Sequence, residues 1–177
     1  MWNDRARGAE VAGVGLPVKG RVKLAEVEVS AMFRKILVPV DGSQSALRAA
    51  RIAAEIARKF DSQVTLLTVV EAPDTAAAAA GMAGMMGVDT TASPALEAAA
   101  RELLGAAAQA MGLPDAKVRQ VVVSGHAADI ICEACRAGAD DLIVMGSRGL
   151  SEVGSLFLGS VSDKVSHHAP CPVLIVR

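Results

Sequence analysis

Six residues in the second half of the chain have the types and spacing to hold an anion. Gly146, Ser147, Arg148 and Gly149 follow an apolar run, and nine residues later Gly159 and Ser160 open a helix. Glycine has no Cβ, so it takes left-handed turns cheaply and lets ligand oxygens reach the main-chain N–H groups. Ser160 adds a hydroxyl at a helix start, where first-turn N–H groups have no intrahelical partner and the macrodipole is positive. The backbone N–H groups of Ser147 and Arg148 can turn inward in such a wrap. The Arg148 side chain reads either as a phosphate contact or as a solvated surface charge. A glycine-rich run alone reads equally as a surface loop that binds nothing, so the flanking elements must decide.

Those elements describe a parallel sheet. Asp141–Met145 before the loop and Pro172–Val176 after the helix are short, nearly continuous apolar runs, the pattern of strands buried on both faces. Ile36–Val40 is a third, and it ends in Asp41-Gly42-Ser43 ahead of a helix, which puts the Asp41 carboxylate at a strand's C-terminal end. Open α/β sheets take their ligands there. From Ser43 to Phe60 the residues Ala49, Ile52, Ala53, Ile56 and Phe60 recur at helical spacing, and Gln63–Val70 is a β-branched strand. Ser93-Pro94 starts a helix that Gly112 and Pro114 stop, with Leu96, Ala100, Leu103 and Ala107 as its buried face. Lys117–Val123 then reads as a strand, and Ala127–Arg136 as a helix ending at Gly138. The final helix runs from Gly159-Ser160 through Val161 and Val165. This β-α-β-α-β-α-β-α-β alternation demands an open, doubly wound parallel sheet of five strands with right-handed crossovers.

Three stretches together resemble the universal stress protein family. They are Lys35–Ser43 (KILVPVDGS), the G-x-x-G-x9-G-S loop from Gly146 to Ser160, and the closing His168–Arg177 (HAPCPVLIVR). The resemblance covers residues 32–177, about four fifths of the chain. It implies a Rossmann-like sheet with strand order 3-2-1-4-5, whose topological switch brings Asp41 beside the glycine loop. It also implies that Gly146, Gly149, Gly159 and Ser160 carry the phosphates of ATP, and that Val40 and Val69 line the adenine pocket. Asp41 would accept from ribose hydroxyls or hold Mg2+ bridging to phosphate; its bland alternative is a turn or cap carboxylate. A valine ending a buried strand is, as a bare sequence fact, core.

Composition bounds the rest. With 177 residues, one domain with a sizeable core is expected, and an aromatic content of 2% makes that core aliphatic. A net charge of −1 gives no electrostatic footprint for nucleic acid. No apolar run approaches the ~18 residues of a membrane span, and no signal peptide is legible, so a cytoplasmic protein is expected. Three cysteines without framework spacing fit a reducing compartment and read as core residues. Cys132-x-x-Cys135 continues the buried face of Ala128 and Ile131, and a zinc site with His167 and His168 is rejected because nothing makes the four adjacent. The two histidines read as a cationic helix end.

Two segments stand apart. Residues 1–31 precede the pattern, with Val22–Val29 alternating like a short strand; they are a tail, a genuine extension or an over-extended start. Residues 71–91 are rich in alanine, glycine and methionine. They read as a mobile loop or, because methionine adapts to varied apolar surfaces, as a lid or partner patch.

The function expected is that of an ATP-binding regulatory protein, with at most slow hydrolysis or autophosphorylation, since no general base or positioned nucleophile stands beside the loop. The alternative is a family member that acts only through protein contacts. An adenylating enzyme would need a phosphate loop directly after the first strand, and Val40–Ser45 has one glycine. A homodimer through 172–176 is expected, because the last strand would otherwise be an unprotected apolar edge.

Overall fold

The computed structural model describes residues 33–70, 94–149 and 158–177. The expectations for residues 1–31, for the loop 71–91 and for Ser93 as a cap lie outside the described residues. Five strands form one parallel sheet: β1 (Lys35–Pro39), β2 (Gln63–Val70), β3 (Val118–Ser124), β4 (Leu142–Gly146) and β5 (Val173–Val176). Their order is β3-β2-β1-β4-β5, the 3-2-1-4-5 arrangement implied by the resemblance. Among the described residues four α-helices alternate with them: α1 (Gln44–Phe60), α2 (Pro94–Met111), α3 (Ala127–Gly138) and α4 (Ser160–His168).

The period of two along each strand divides the core. Ile36 and Val38 of β1, Val64 and Leu66 of β2, and Leu142 and Val144 of β4 face α1 and α2. Leu37, Leu67, Ile143 and Met145 face the opposite way, against Ile131, Cys132 and Cys135 of α3 and Val165 of α4. The face of α1 toward the sheet is almost wholly alanine, with Ala49, Ala50 and Ala53 all 0% exposed. A side chain one carbon long brings helix and sheet backbones close, which is how a chain poor in aromatics reaches native packing density.

Two expected core positions face outward instead. Ile52 is 39% exposed and Leu96 46% exposed, while Leu104, one position from the expected Leu103, is 1% exposed. Helical periodicity identifies a stripe, but a helix rotates by tens of degrees to put its smallest or best-fitting residues against the sheet. The stop of α3 also shifts: Gly138 is its last residue and the left-handed position falls on Ala139, with φ 49°.

At the N-terminal end of the sheet, one carboxylate ties two strands together. Asp141 accepts from the N–H of Arg34 at 2.8 Å and of Lys35 at 3.3 Å. Lys35 Nζ donates to the Gly138 carbonyl at 2.9 Å, a cation on the negative end of α3.

Because Ala53 is fully buried in the alanine face of α1, Ala53→Leu should destabilise by about 1–3 kcal/mol through overpacking. Ile52→Ser, one residue away on the exposed side, should change stability by less than about 0.5 kcal/mol. Urea unfolding of both variants checks the contrast.

Candidate functional site

The switch in strand order opens a crevice at the C-terminal ends of β1 and β4. A cavity of about 240 Å³ lies there, and Val40, Asp41, Val69, Gly146, Arg148, Gly149, Gly159 and Ser160 all line it. Leu67, Ile131 and Met145 add an apolar floor. Val40 lies just past β1 and is buried; its N–H donates to the Leu67 carbonyl at 2.8 Å, and its carbonyl accepts from Thr68 Oγ1 at 3.0 Å. The strand end is thereby held straight up to the point where Asp41 turns away.

Asp41 is exposed, and its two oxygens do different things. Oδ1 accepts from the Ser43 N–H at 2.9 Å, fixing the turn into α1. Oδ2 faces Gly149, where an added Cβ would come within 2.8 Å of it. Asp41 is thus both the turn carboxylate of its bland reading and a group at the cavity mouth. Gly42 between them has φ +88°, a conformation that favours glycine.

The motif glycines owe their identity to close approach, not to left-handed turns, because none of the three has a positive φ. A Cβ on Gly146 would lie 2.5 Å from Ser45 Oγ and 2.8 Å from the Ala46 nitrogen. Gly146 is therefore what allows the first turn of α1 to rest on the end of β4. A Cβ on Gly159 would stand 3.2 Å from Arg148 Cα and 3.3 Å from the Ser147 carbonyl oxygen. The two ends of the glycine loop are pressed together at that point.

Three serine hydroxyls to which the sequence assigns no role, those of Ser43, Ser45 and Ser162, hold this arrangement together with the backbone of Ser147. Ser45 Oγ donates to the Arg148 carbonyl at 2.6 Å, and Ser43 Oγ stands 3.2 Å from the same oxygen while accepting from the Ala46 N–H. The Ser147 N–H donates to the Val176 carbonyl at 2.7 Å. The Ser147 carbonyl accepts from the Gly159 N–H at 2.8 Å and from Ser162 Oγ at 2.9 Å. All four serines are buried. The signal for the first pair was present, a Ser-x-Ser directly at a helix start; nothing in the sequence pairs them with residue 148.

Across the cavity, α4 begins at Ser160 with Gly159 as its N-cap and no side-chain cap. Its first turn thus offers backbone N–H groups and the positive end of the helix dipole toward the cavity. Ser160 is exposed and Arg148 half-buried. The histidines at the other end of α4 behave as a helix cap: His167 Nδ1 and His168 Nδ1 each lie 2.8 Å from the carbonyl four residues earlier.

Comparison with known proteins gives this geometry a family. A sequence profile described as the Universal stress protein family matches residues 32–177. The chain belongs to the universal stress protein family. A universal stress protein of Thermus aquaticus is 39% identical over 151 residues, spanning 82% of this chain and all of the relative. Among solved structures, a universal stress protein from Lactobacillus plantarum superposes with a TM-score of 0.67 at 28% identity, covering 83% of this chain and 99% of that one. A universal stress protein from Archaeoglobus fulgidus solved in complex with dAMP has a TM-score of 0.59 at 22% identity, covering 82% and 99%.

The universal stress protein fold thus rests on contacts that can be broken singly. Gly146→Ala should lower stability by about 2 kcal/mol or more, because its Cβ would meet helix backbone as well as a hydroxyl. Chemical denaturation measures the loss. A midpoint unchanged from wild type would mean that α1 does not rest on Gly146.

Proposed function

We propose that the crevice binds ATP and that the protein acts as a nucleotide-responsive regulator. The observation that carries this reading is the meeting of an uncapped helix N-terminus, a glycine loop and an acidic strand end around one cavity with an apolar floor. Backbone N–H groups at Gly159–Ser160 and the Ser160 hydroxyl would take the phosphates. The apolar walls at Val40 and Val69 would take the adenine ring, and the free side of Asp41 the ribose. The dAMP complex of the Archaeoglobus relative supports an adenine nucleotide as the ligand class.

Mg2+ fits this donor set only together with phosphate. Among the described residues no group of three or more His, Cys, Asp or Glu side chains is arranged to hold a metal. Asp41 Oδ2 supplies one carboxylate oxygen, and Mg2+ is commonly held by one or two carboxylates plus phosphate oxygens. The bound ion would neutralise phosphate charge. Asp41 and Arg148 are the ionisable side chains lining the cavity. Among the described residues lining the cavity Asp41 is the only carboxylate, with one oxygen held in the turn, so turnover in this reading is at most slow hydrolysis or autophosphorylation.

Titration calorimetry with Mg-ATP on nucleotide-stripped protein tests the reading. Wild type should bind with a Kd in the micromolar range, about −8 kcal/mol. Gly159→Val should abolish binding, with circular dichroism confirming its fold. Asp41→Asn, which keeps an acceptor for the Ser43 N–H, should weaken Mg-ATP binding by about tenfold, or ~1.4 kcal/mol. Absence of binding by folded wild type would leave the family role to protein contacts alone.

The second element of the proposal is a homodimer through β5. That strand is the sheet's edge beyond β4, and Leu174 on it is 38% exposed. An apolar edge is satisfied by pairing with its twin. Sedimentation at micromolar concentration should give a dimer, and Leu174→Asp should shift it to monomer; a wild-type monomer would overturn the pairing. No helix among the described residues is long and apolar enough to cross a membrane, and the three cysteines are free thiols, which fits a cytoplasmic setting.

A further inference from the structure

Two thiols meet at the end of the sheet opposite the glycine loop. Cys135 lies on the last turn of α3, and Cys171 lies in the segment between α4 and β5. Their Sγ atoms are 3.1 Å apart across 36 positions of sequence. The sequence places Cys132 and Cys135 on one buried helix face as core residues; the fold brings Cys171, from a separate segment, against Cys135. Disulfide sulfurs bond at about 2.05 Å, so closing the pair takes a movement of about 1 Å. Cys135 is buried and Cys171 only partly so, which gives one member of the pair access to solvent.

We propose that Cys135 and Cys171 are a redox-responsive dithiol, in which Cys171 reacts first with a peroxide and Cys135 then closes an intramolecular disulfide. In the first step the Cys171 sulfur attacks one peroxide oxygen, the O–O bond breaks, and a sulfenic acid and one water result. In the second the Cys135 sulfur attacks the Cys171 sulfur, the S–O bond breaks, the S–S bond forms, and the hydroxyl leaves as a second water with the Cys135 proton. Two thiols and one hydrogen peroxide thus become one disulfide and two waters, with two electrons passing from sulfur to oxygen.

The surroundings set the order and the pace. Burial pushes the Cys135 thiol up to about 12, and its hydrogen bond to Cys171 adds to the effect. Cys171 is also raised by burial, but the hydrogen bond from Cys135 pulls it down. Cys135 therefore keeps its proton and donates it, leaving Cys171 the more reactive sulfur. Burial and the carboxylates of Asp140 and Asp141 oppose ionisation of Cys171. The bridge would join α3 to the start of β5 and enclose β4, the glycine loop and α4 in one covalent ring.

The test uses the full chain, reduced, freed of reductant and exposed to hydrogen peroxide, then denatured and alkylated with N-ethylmaleimide. Reduced protein should take up three maleimides, one per cysteine. Oxidised protein should take up one, with a peptide map joining Cys135 to Cys171, and dithiothreitol should restore the full count. Cys132→Ser should form the same bridge. Cys171→Ser, at the partly exposed position and so least disruptive to folding, should lose it while keeping the wild-type circular dichroism spectrum. The proposal is overturned if the folded wild type keeps every thiol free, if the map joins Cys132, or if Cys171 is found only as sulfinic acid.

Discussion

The approach of helix α1 to the end of strand β4 is the constraint on which the rest of the site depends. Gly146 has no side chain, so Ser45 and Ala46 rest directly on its backbone. From that position Ser43 and Ser45 reach the Arg148 carbonyl and so fix the backbone where it leaves β4. The loop's far end is fixed by the Ser147 carbonyl, which takes bonds from Gly159 and Ser162 and so sets the direction in which α4 begins. Buried hydroxyls satisfy buried carbonyls throughout, and each such pair costs far more to break from one side than it contributes as a whole.

The two ends of the sheet carry different chemistry for one topological reason. Parallel strands put every loop that leads into a helix at the C-terminal end and every loop that returns from a helix at the other. The C-terminal end therefore collects helix N-termini, with their N–H groups and positive dipoles, and suits anions. The N-terminal end collects helix C-termini. Here Lys35 caps α3, Asp141 joins β1 to β4, and the Cys135 and Cys171 thiols are brought together. Cys135 Sγ also lies 3.6 Å from the Asp140 carbonyl, just beyond the end of α3. The thiol pair and the cavity of the glycine loop occupy one small domain because the sheet's length separates them.

Much of the fold was legible because its signals are local. The apolar runs of β1 and β4 and the β-branched β2 each fit a buried strand and nothing longer; β5 has the same pattern, but as an edge strand it is only partly buried, with Leu174 38% exposed. Pro94 and Gly112 mark the two ends of α2, and the residues of the glycine loop fall where a strand hands over to a helix. Strand order came from family resemblance, since periodicity alone does not order parallel strands. The faces of α1 and α2 were read less well. Large residues such as Ile52 and Leu96 suggested the buried stripe, yet the sheet selected alanines and Leu104, because close backbone approach outweighs side-chain hydrophobicity where a small residue is available.

By itself the sequence determined the element types, the parallel architecture, the family, and the set of residues gathered at the strand ends, because each of these is written in spacing along the chain. The tertiary structure decided what the spacing does not encode. It made Gly146 a packing glycine, gave Asp41 one oxygen for a turn and one for the cavity, and recruited three serines from two segments to hold the ends of one loop. It also paired Cys135 with Cys171 in place of its nearer neighbour in sequence. Those assignments depend on distances between segments far apart in the chain, and such distances exist only once the helices have docked on the sheet.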